Sequence, residues 1–310
     1  MGLCKASGFC GERVSARSSQ QVGAHRVSTT MIKKMDEGLP MAIQRQTFQH
    51  DGLSFSFLDT GPNTGLATSR DTVGNGRVLI ALHAHLMEAA TFAPLAAALA
   101  PEWRVIALDQ RGQGFSSHAP TYTRADYLGD IAALFAHLGL RRAVLLGNSL
   151  GGVNAYQFAA LHPQLVSALI VEDIGAEISD DISFILPWEG TFITREDLEN
   201  RIGARFVPYF EPSFRQTDSG WKLAFEPREM VASQLQLCGD HWPDWLATDC
   251  PALLIRGRES RVTTAEHLQQ MALRRPNTTL VSLNGGHVVH MEAPTEFISA
   301  VRTFLQDISG

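Results

Sequence analysis

The stretch LLGNSLGG, residues 145–152, carries an apolar run into a helical segment through a turn that sets glycine on both sides of a serine. AVLLG (143–147) has the all-apolar character of a buried strand, and the residues from Gly152 to about Leu161 form a helical stretch. When a strand becomes a helix this abruptly, the middle residue is held in strained backbone. Gly147 and Gly151 leave out side chains where the backbones close on each other. Ser149 is then aimed out of the turn, at a helix N-terminus that favours negative charge. Glycine-rich turns with a serine also occur without any chemistry, so the surrounding chain must decide.

Outward from that turn, short apolar strands alternate with helices. VLIAL (78–82), RVIAL (104–108), LVSALIVED (165–173), ALLIR (252–256) and TTLVSL (278–283) are the strands, and helices are predicted near 89–100, 124–138, 264–273 and 294–306. Continuous apolar strands separated by helices imply an α/β fold with a mostly parallel sheet covered on both faces. TFQHDGLSFSFLDTG (47–61) predicts a hairpin around Asp51 and Gly52. Residues 61–77, rich in Gly, Asn, Thr and Ser, predict a long surface loop. The alternation stops over residues 175–247, where FILPW, FVPYF, WKLAF and HWPDW cluster aromatic side chains. Inserted after the sixth strand, this segment is expected to be a helical cap over the strand ends, the edge at which open α/β sheets bind ligands. The core domain is expected at 41–174 and 248–310.

The chain has 310 residues, 45% of them hydrophobic and 19% charged, enough for a large core. A net charge of -6 offers no broad positive field, which argues against nucleic acid as a partner. No run approaches the roughly 18 apolar residues of a membrane span. Cys4, Cys10, Cys238 and Cys250 are too few and too scattered for a disulfide framework or a zinc site, and read as reduced thiols of a cytoplasmic protein. Residues 1–40 show no apolar period and are expected to be a disordered extension. Lys5, Arg13, Arg17 and Arg26 against Glu12 suggest an address peptide, but the apolar core of a secretory signal is missing.

A serine hydroxyl needs a base to become a nucleophile near neutral pH. NGGHVVHMEAP (284–294) places His287 in a glycine-rich loop just after the last strand, at the same sheet edge as Ser149. His290 is read as structural. The His83/His85 pair lacks a third ligand at suitable spacing, so no metal is expected.

These segments together resemble the α/β-hydrolase family over about residues 42–308. LHAHL (82–86) is similar to its His-Gly loop, DQRGQGFS (109–116) to its Asp-x-Arg-Gly-x-Gly-x-Ser turn, GNSLGG to its nucleophile elbow and GGHVVHMEAP to its histidine loop. The resemblance implies a Ser149–His287 pair with an oxyanion hole from the backbone N–H groups of Leu150 and His85. Ala84 replaces a usual glycine, which is tolerable outside the left-handed region. Asp109 and Arg111 are implied as braces.

The family's usual acid, the Asp of a G-x-x-D turn, falls here on Ser260. Some members carry the acid one strand earlier, and by that likeness Asp173 is the acid, with Ser260 an auxiliary partner and Glu259 the competing carboxylate. Glu172 should point to the other face of its strand and form a structural ion pair. The implied activity is cofactor-free hydrolysis of a small carboxylic ester, apolar or aromatic if Phe184, Trp188, Tyr209 and Phe210 line the pocket rather than the cap's own core. Rival readings are cleavage of a C–C, lactone or amide bond, perhydrolase or haloperoxidase chemistry, and a small-ligand receptor of the same fold. Oligomeric state is left open.

Overall fold

Strands that bury both faces need helices on either side, and the chain supplies them alternately. The computed structural model describes residues 43–61 and 77–309. Its first strands are β1 (Gln44–His50), β2 (Leu53–Asp59), β3 (Val78–Leu82), β4 (Arg104–Leu108), β5 (Ala143–Asn148) and β6 (Val166–Glu172). Between them lie α1 (Ala93–Leu99), α2 (Arg124–Leu138) and α3 (Leu150–Leu161). The inserted segment contains β7 (Glu177–Ile178), α4 (Arg195–Ile202), α5 (Val207–Phe210), β8 (Phe214–Thr217), β9 (Gly220–Leu223), α6 (Pro227–Leu237), β10 (Gly239–Asp240) and α7 (Trp242–Leu246). The chain then returns through β11 (Ala252–Gly257), α8 (Ala265–Arg274), β12 (Thr278–Leu283), α9 (Val289–Glu292) and α10 (Pro294–Asp307).

Among the described residues the central sheet has eight strands in the order β1-β2-β4-β3-β5-β6-β11-β12. Pairings from β4 through β12 are parallel, and β2 runs antiparallel to both β1 and β4. Side chains alternate between two cores, as strand geometry demands. Val78, Ile80, Leu82 and Leu145 join α2 and α3 through Ile131, Leu134, Val153 and Phe158, whereas Leu79, Ala81, Val144 and Leu146 join α1 and α10 through Leu95, Leu99, Phe297 and Val301.

The local signals explain most element boundaries. Asp51 and Gly52 both take positive φ, 47° and 75°, as a two-residue hairpin of this twist requires. Thr123 and Asp126 close a capping box on α2, and Gly139 ends it at φ 63°. The helix expected over 89–100 is broken into a 3-10 turn, Ala89–Phe92, and α1. Pro94 lacks the N–H that would continue the first turn into the second. α3 starts at Leu150, two residues earlier than expected, because Ser149 itself is the N-cap. The expected loop at 61–77 and the extension at 1–40 lie almost wholly outside the described residues. Among those residues no helix is long and apolar enough to cross a membrane.

The turns after β3 and β4 brace each other beneath the sheet edge. Asp109 accepts from the Ala89 N–H at 2.8 Å and from Arg45 at 2.7 Å, while Arg111 grips both oxygens of Asp130 at 2.7 and 2.8 Å. His83 is committed on both nitrogens, to Ala84 O at 2.7 Å and to the Gln110 N–H at 2.9 Å. The His85 ring pairs with Ser233 of α6 at 2.8 Å. Among the described residues no group of three His, Cys, Asp or Glu side chains is arranged to hold a metal ion. Burial, then the charge of Arg124 and then His83, pushes the His85 ring down to about 3, and burial also lowers His83.

Close backbone approach at the elbow gives a stability prediction. A Cβ on Gly151 would stand 2.0 Å from the backbone oxygen of Leu82, which cannot retreat without breaking β3, whereas one on Gly129, inside α2, meets only His50 at 3.6 Å. Gly151→Ala should destabilise by roughly 1–3 kcal/mol, and Gly129→Ala should stabilise by about 0.5–1 kcal/mol through helix propensity; urea midpoints measure both. The buried imidazoles give a second. Below pH 6.5 the unfolded chain takes up protons that folded His85 refuses, so stability present above that pH is lost as pH falls toward 3, by up to about 1.4 kcal/mol per pH unit for this residue. Urea titrations from pH 7 to 5 should show this fall, and a flatter one in His85→Gln.

Candidate active site

Strand ends deliver the candidate side chains to one edge of the sheet. Ser149 occupies the single residue between β5 and α3 with φ 53° and ψ −117°, a conformation costly for a side chain larger than glycine's. Its N–H donates to Glu172 O at 3.1 Å, which ties the elbow to the end of β6. Asp173 follows at once, also at positive φ (50°), with its N–H on Ile255 O of β11 at 2.8 Å.

The Asp173 carboxylate is fully buried and meets three donors. Oδ1 accepts from the Gly257 N–H at 3.0 Å. Oδ2 accepts from His287 Nδ1 at 2.9 Å and from the Ser260 hydroxyl. Ser260 Oγ in turn accepts from the Val262 N–H at 3.1 Å. The serine in the G-x-x-D position therefore bonds to the carboxylate that arrives from β6. Glu259, the competing acid, is not brought to the histidine: it is exposed at the surface, and its backbone N–H donates to Gly285 O at 2.9 Å. One residue before Asp173, Glu172 points to the opposite face and holds His290, through the ring Nδ1 at 2.8 Å and the backbone N–H at 2.8 Å. The His290 ring stacks on Phe92 with centroids 4.4 Å apart, as a structural residue would.

With Nδ1 engaged, the His287 ring, 28% exposed, has Nε2 left for other partners. Leu150 is the first residue of α3, so its N–H has no intrahelical acceptor. Among the described residues neither it nor the His85 N–H meets a protein acceptor, whereas the next N–H, of Leu86, donates to Gln113 Oε1 at 2.7 Å. Ala84 stays out of the left-handed region, and Leu86 takes it instead, at φ 69°. The inserted segment reaches this loop directly. Ser213 donates to Leu86 O at 3.1 Å, Arg215 pairs with the buried Glu88, and Ser233 meets His85. Asp180, from the same segment, senses His287: burial raises its pKa and the imidazole works against that rise.

The four aromatic residues expected to line a pocket divide. Trp188 and Phe210 are 4% and 7% exposed and pack on each other and on Phe206, which makes them core of the inserted segment rather than open lining. Phe184 is 50% exposed and Tyr209 half-buried. Two residues escaped sequence reasoning. Asn148 donates through Nδ2 to His287 O at 3.0 Å, and Glu292 accepts from the N–H groups of Gly286 and Val288. The available signal was the pair of consecutive glycines before His287, whose amides need acceptors that their own loop cannot supply.

Known proteins share this architecture. 2-(Acetamidomethylene)succinate hydrolase of Mesorhizobium japonicum is 27% identical over 253 residues, covering 75% of this chain and 89% of that one. 3-Oxoadipate enol-lactonase 2 of Acinetobacter baylyi is 26% identical over 213 residues, covering 65% and 78%. The crystal structure of an α/β hydrolase from Novosphingobium aromaticivorans superposes with a TM-score of 0.69 at 26% identity, covering 86% of this chain and 98% of that one. The family model described as alpha/beta hydrolase fold matches residues 77–294, and the chain belongs to that family.

Proposed function

We propose that the protein is a carboxylic-ester hydrolase that works through an acyl-enzyme on Ser149. The observation that carries this reading is the buried Asp173 carboxylate on Nδ1 of His287, with Ser149 held at positive φ and tied through its N–H to the end of the strand that delivers Asp173. Ser149 Oγ attacks the ester carbonyl while His287 Nε2 takes its proton, and Asp173 orients the ring and offsets its positive charge. The N–H groups of Leu150 and His85 receive the oxyanion, each worth on the order of 2.7–4 kcal/mol to the barrier. The tetrahedral adduct collapses, and His287 returns the proton to the departing alcohol. Water then repeats the sequence on the acyl-enzyme, and the acid leaves. None of these steps calls on a cofactor.

Residues 175–247 serve as the cap in this reading, since Ser213, Arg215 and Ser233 all reach the loop that carries His85. Phe184 and Tyr209 are the aromatic faces left to greet a small apolar or aromatic substrate. The same machinery opens a lactone or cleaves an amide, and the named relatives include a lactonase and a hydrolase of an acetamido compound.

A panel of p-nitrophenyl esters of increasing chain length tests the proposal. Ser149→Ala should lower kcat by at least about 10⁴-fold, and Asp173→Asn by about 10⁴-fold. Glu259→Gln should stay within about twofold of wild type, in keeping with a solvated surface charge. Turnover that survives Ser149→Ala removes the acyl-enzyme, and turnover lost in Glu259→Gln but kept in Asp173→Asn reassigns the acid.

A further inference from the structure

Beyond its own main chain, the imidazole of His287 is fixed by one hydrogen bond, from Nδ1 to the Asp173 carboxylate. Where Nε2 lies relative to Ser149 then depends on where the His287 main chain is fixed. The loop that carries it is half-exposed and contains Gly285 and Gly286, with Gly285 at φ 100°, so its own sequence does little to fix it.

Two side chains do so, one from the helix that follows it and one from the end of β5. Glu292, the last residue of α9, straddles the histidine: Oε2 accepts from the Gly286 N–H at 2.8 Å and Oε1 from the Val288 N–H at 3.2 Å. One carboxylate thus holds the N–H groups of the residues that precede and follow His287, with charge-assisted bonds stronger than neutral ones. From the opposite direction, Asn148 Nδ2 donates to His287 O at 3.0 Å and to Glu172 O at 3.3 Å. Asn148 is buried and immediately precedes Ser149, so this amide links the serine's own turn to the histidine's main chain. Tyr209 of the inserted segment adds a neighbour to the same carboxylate. Its phenol pKa is raised by burial and then by Glu292.

We propose that Glu292 and Asn148 are positioning residues that clamp the main chain of His287 from two sides and so set the reach of its Nε2 toward Ser149. The proposal rests on His287 acting as the base for Ser149. Proton transfer needs heavy atoms about 2.6–3.2 Å apart, and a displacement near 1 Å reduces the rate about 100-fold. Glu292→Gln retains one acceptor oxygen but sets an NH₂ against the second N–H, and Asn148→Asp removes the donor to His287 O.

The experiment is phosphonylation of Ser149 by a small fluorophosphonate, which needs the serine–histidine pair and little substrate binding, together with kcat and KM for the best p-nitrophenyl ester. Urea midpoints and near-ultraviolet circular dichroism report the fold of each variant. Glu292→Gln and Asn148→Asp should each react roughly 10- to 100-fold more slowly with the fluorophosphonate, with kcat falling in parallel and KM within about twofold. A purely structural role would shift the urea midpoint and leave the phosphonylation rate of the folded fraction at the wild-type value. That result in either folded variant overturns the clamp while leaving the triad standing. Wild-type protein that neither labels at Ser149 nor turns over esters overturns the base assignment, and the clamp with it.

Discussion

Backbone closeness at the C-terminal edge of β5 is the constraint on which the rest of the molecule depends. The turn into α3 must pass within contact of Leu82 O on one side and bond to Glu172 O on the other, which leaves no room for a side chain at Gly147 or Gly151. Ser149 absorbs the resulting torsion, and Asp173 absorbs a similar one at the end of the next strand. Two non-glycine residues at positive φ, each costing on the order of 1–3 kcal/mol, lie side by side and are held by two cores packed from opposite faces of the sheet. Strain of this kind persists only where surrounding contacts over-determine it, and here it is concentrated where the serine and the carboxylate emerge.

The alternation of a strand then separates two neighbouring acids. Glu172 and Asp173 are consecutive, and each meets a histidine of the segment after β12, His290 on α9 and His287 in the loop before it, on opposite sides. The first pair is sealed, with both residues buried and the ring stacked on Phe92. In the second, the carboxylate is buried and the ring is partly open. The sealed pair anchors α9 and its loop, and the open pair leaves the His287 ring accessible at the sheet edge.

Much of this was legible in the residues themselves. Strands that bury both faces announce themselves as unbroken apolar runs, the helix expected near 124–138 is α2, and the Gly-x-Ser-x-Gly turn marked where a strand met a helix. The acid was less so, because Asp173 and Glu259 both end neighbouring strands and only the three-dimensional course of the loops brings one of them to the ring. Glu292 carried no mark within the histidine loop, since its partners are main-chain amides without a sequence signature. The aromatics of residues 175–247 carried hydrophobicity without direction: Trp188 and Phe210 satisfy one another, and nothing in their spacing distinguishes that from lining a pocket.

The contacts of Ser213, Arg215 and Ser233 with residues 85–88 carry a consequence for altering specificity. On the proposed reading the inserted segment is the place to exchange when a new substrate is wanted, yet it also supplies three contacts to the loop that carries the His85 N–H. A transplanted segment that omits a hydroxyl for Leu86 O, a guanidinium for Glu88 or a partner for the His85 ring would slacken the very donor it was meant to serve. On the proposed reading recognition and reactivity share these contacts, and a graft would have to carry all three with it.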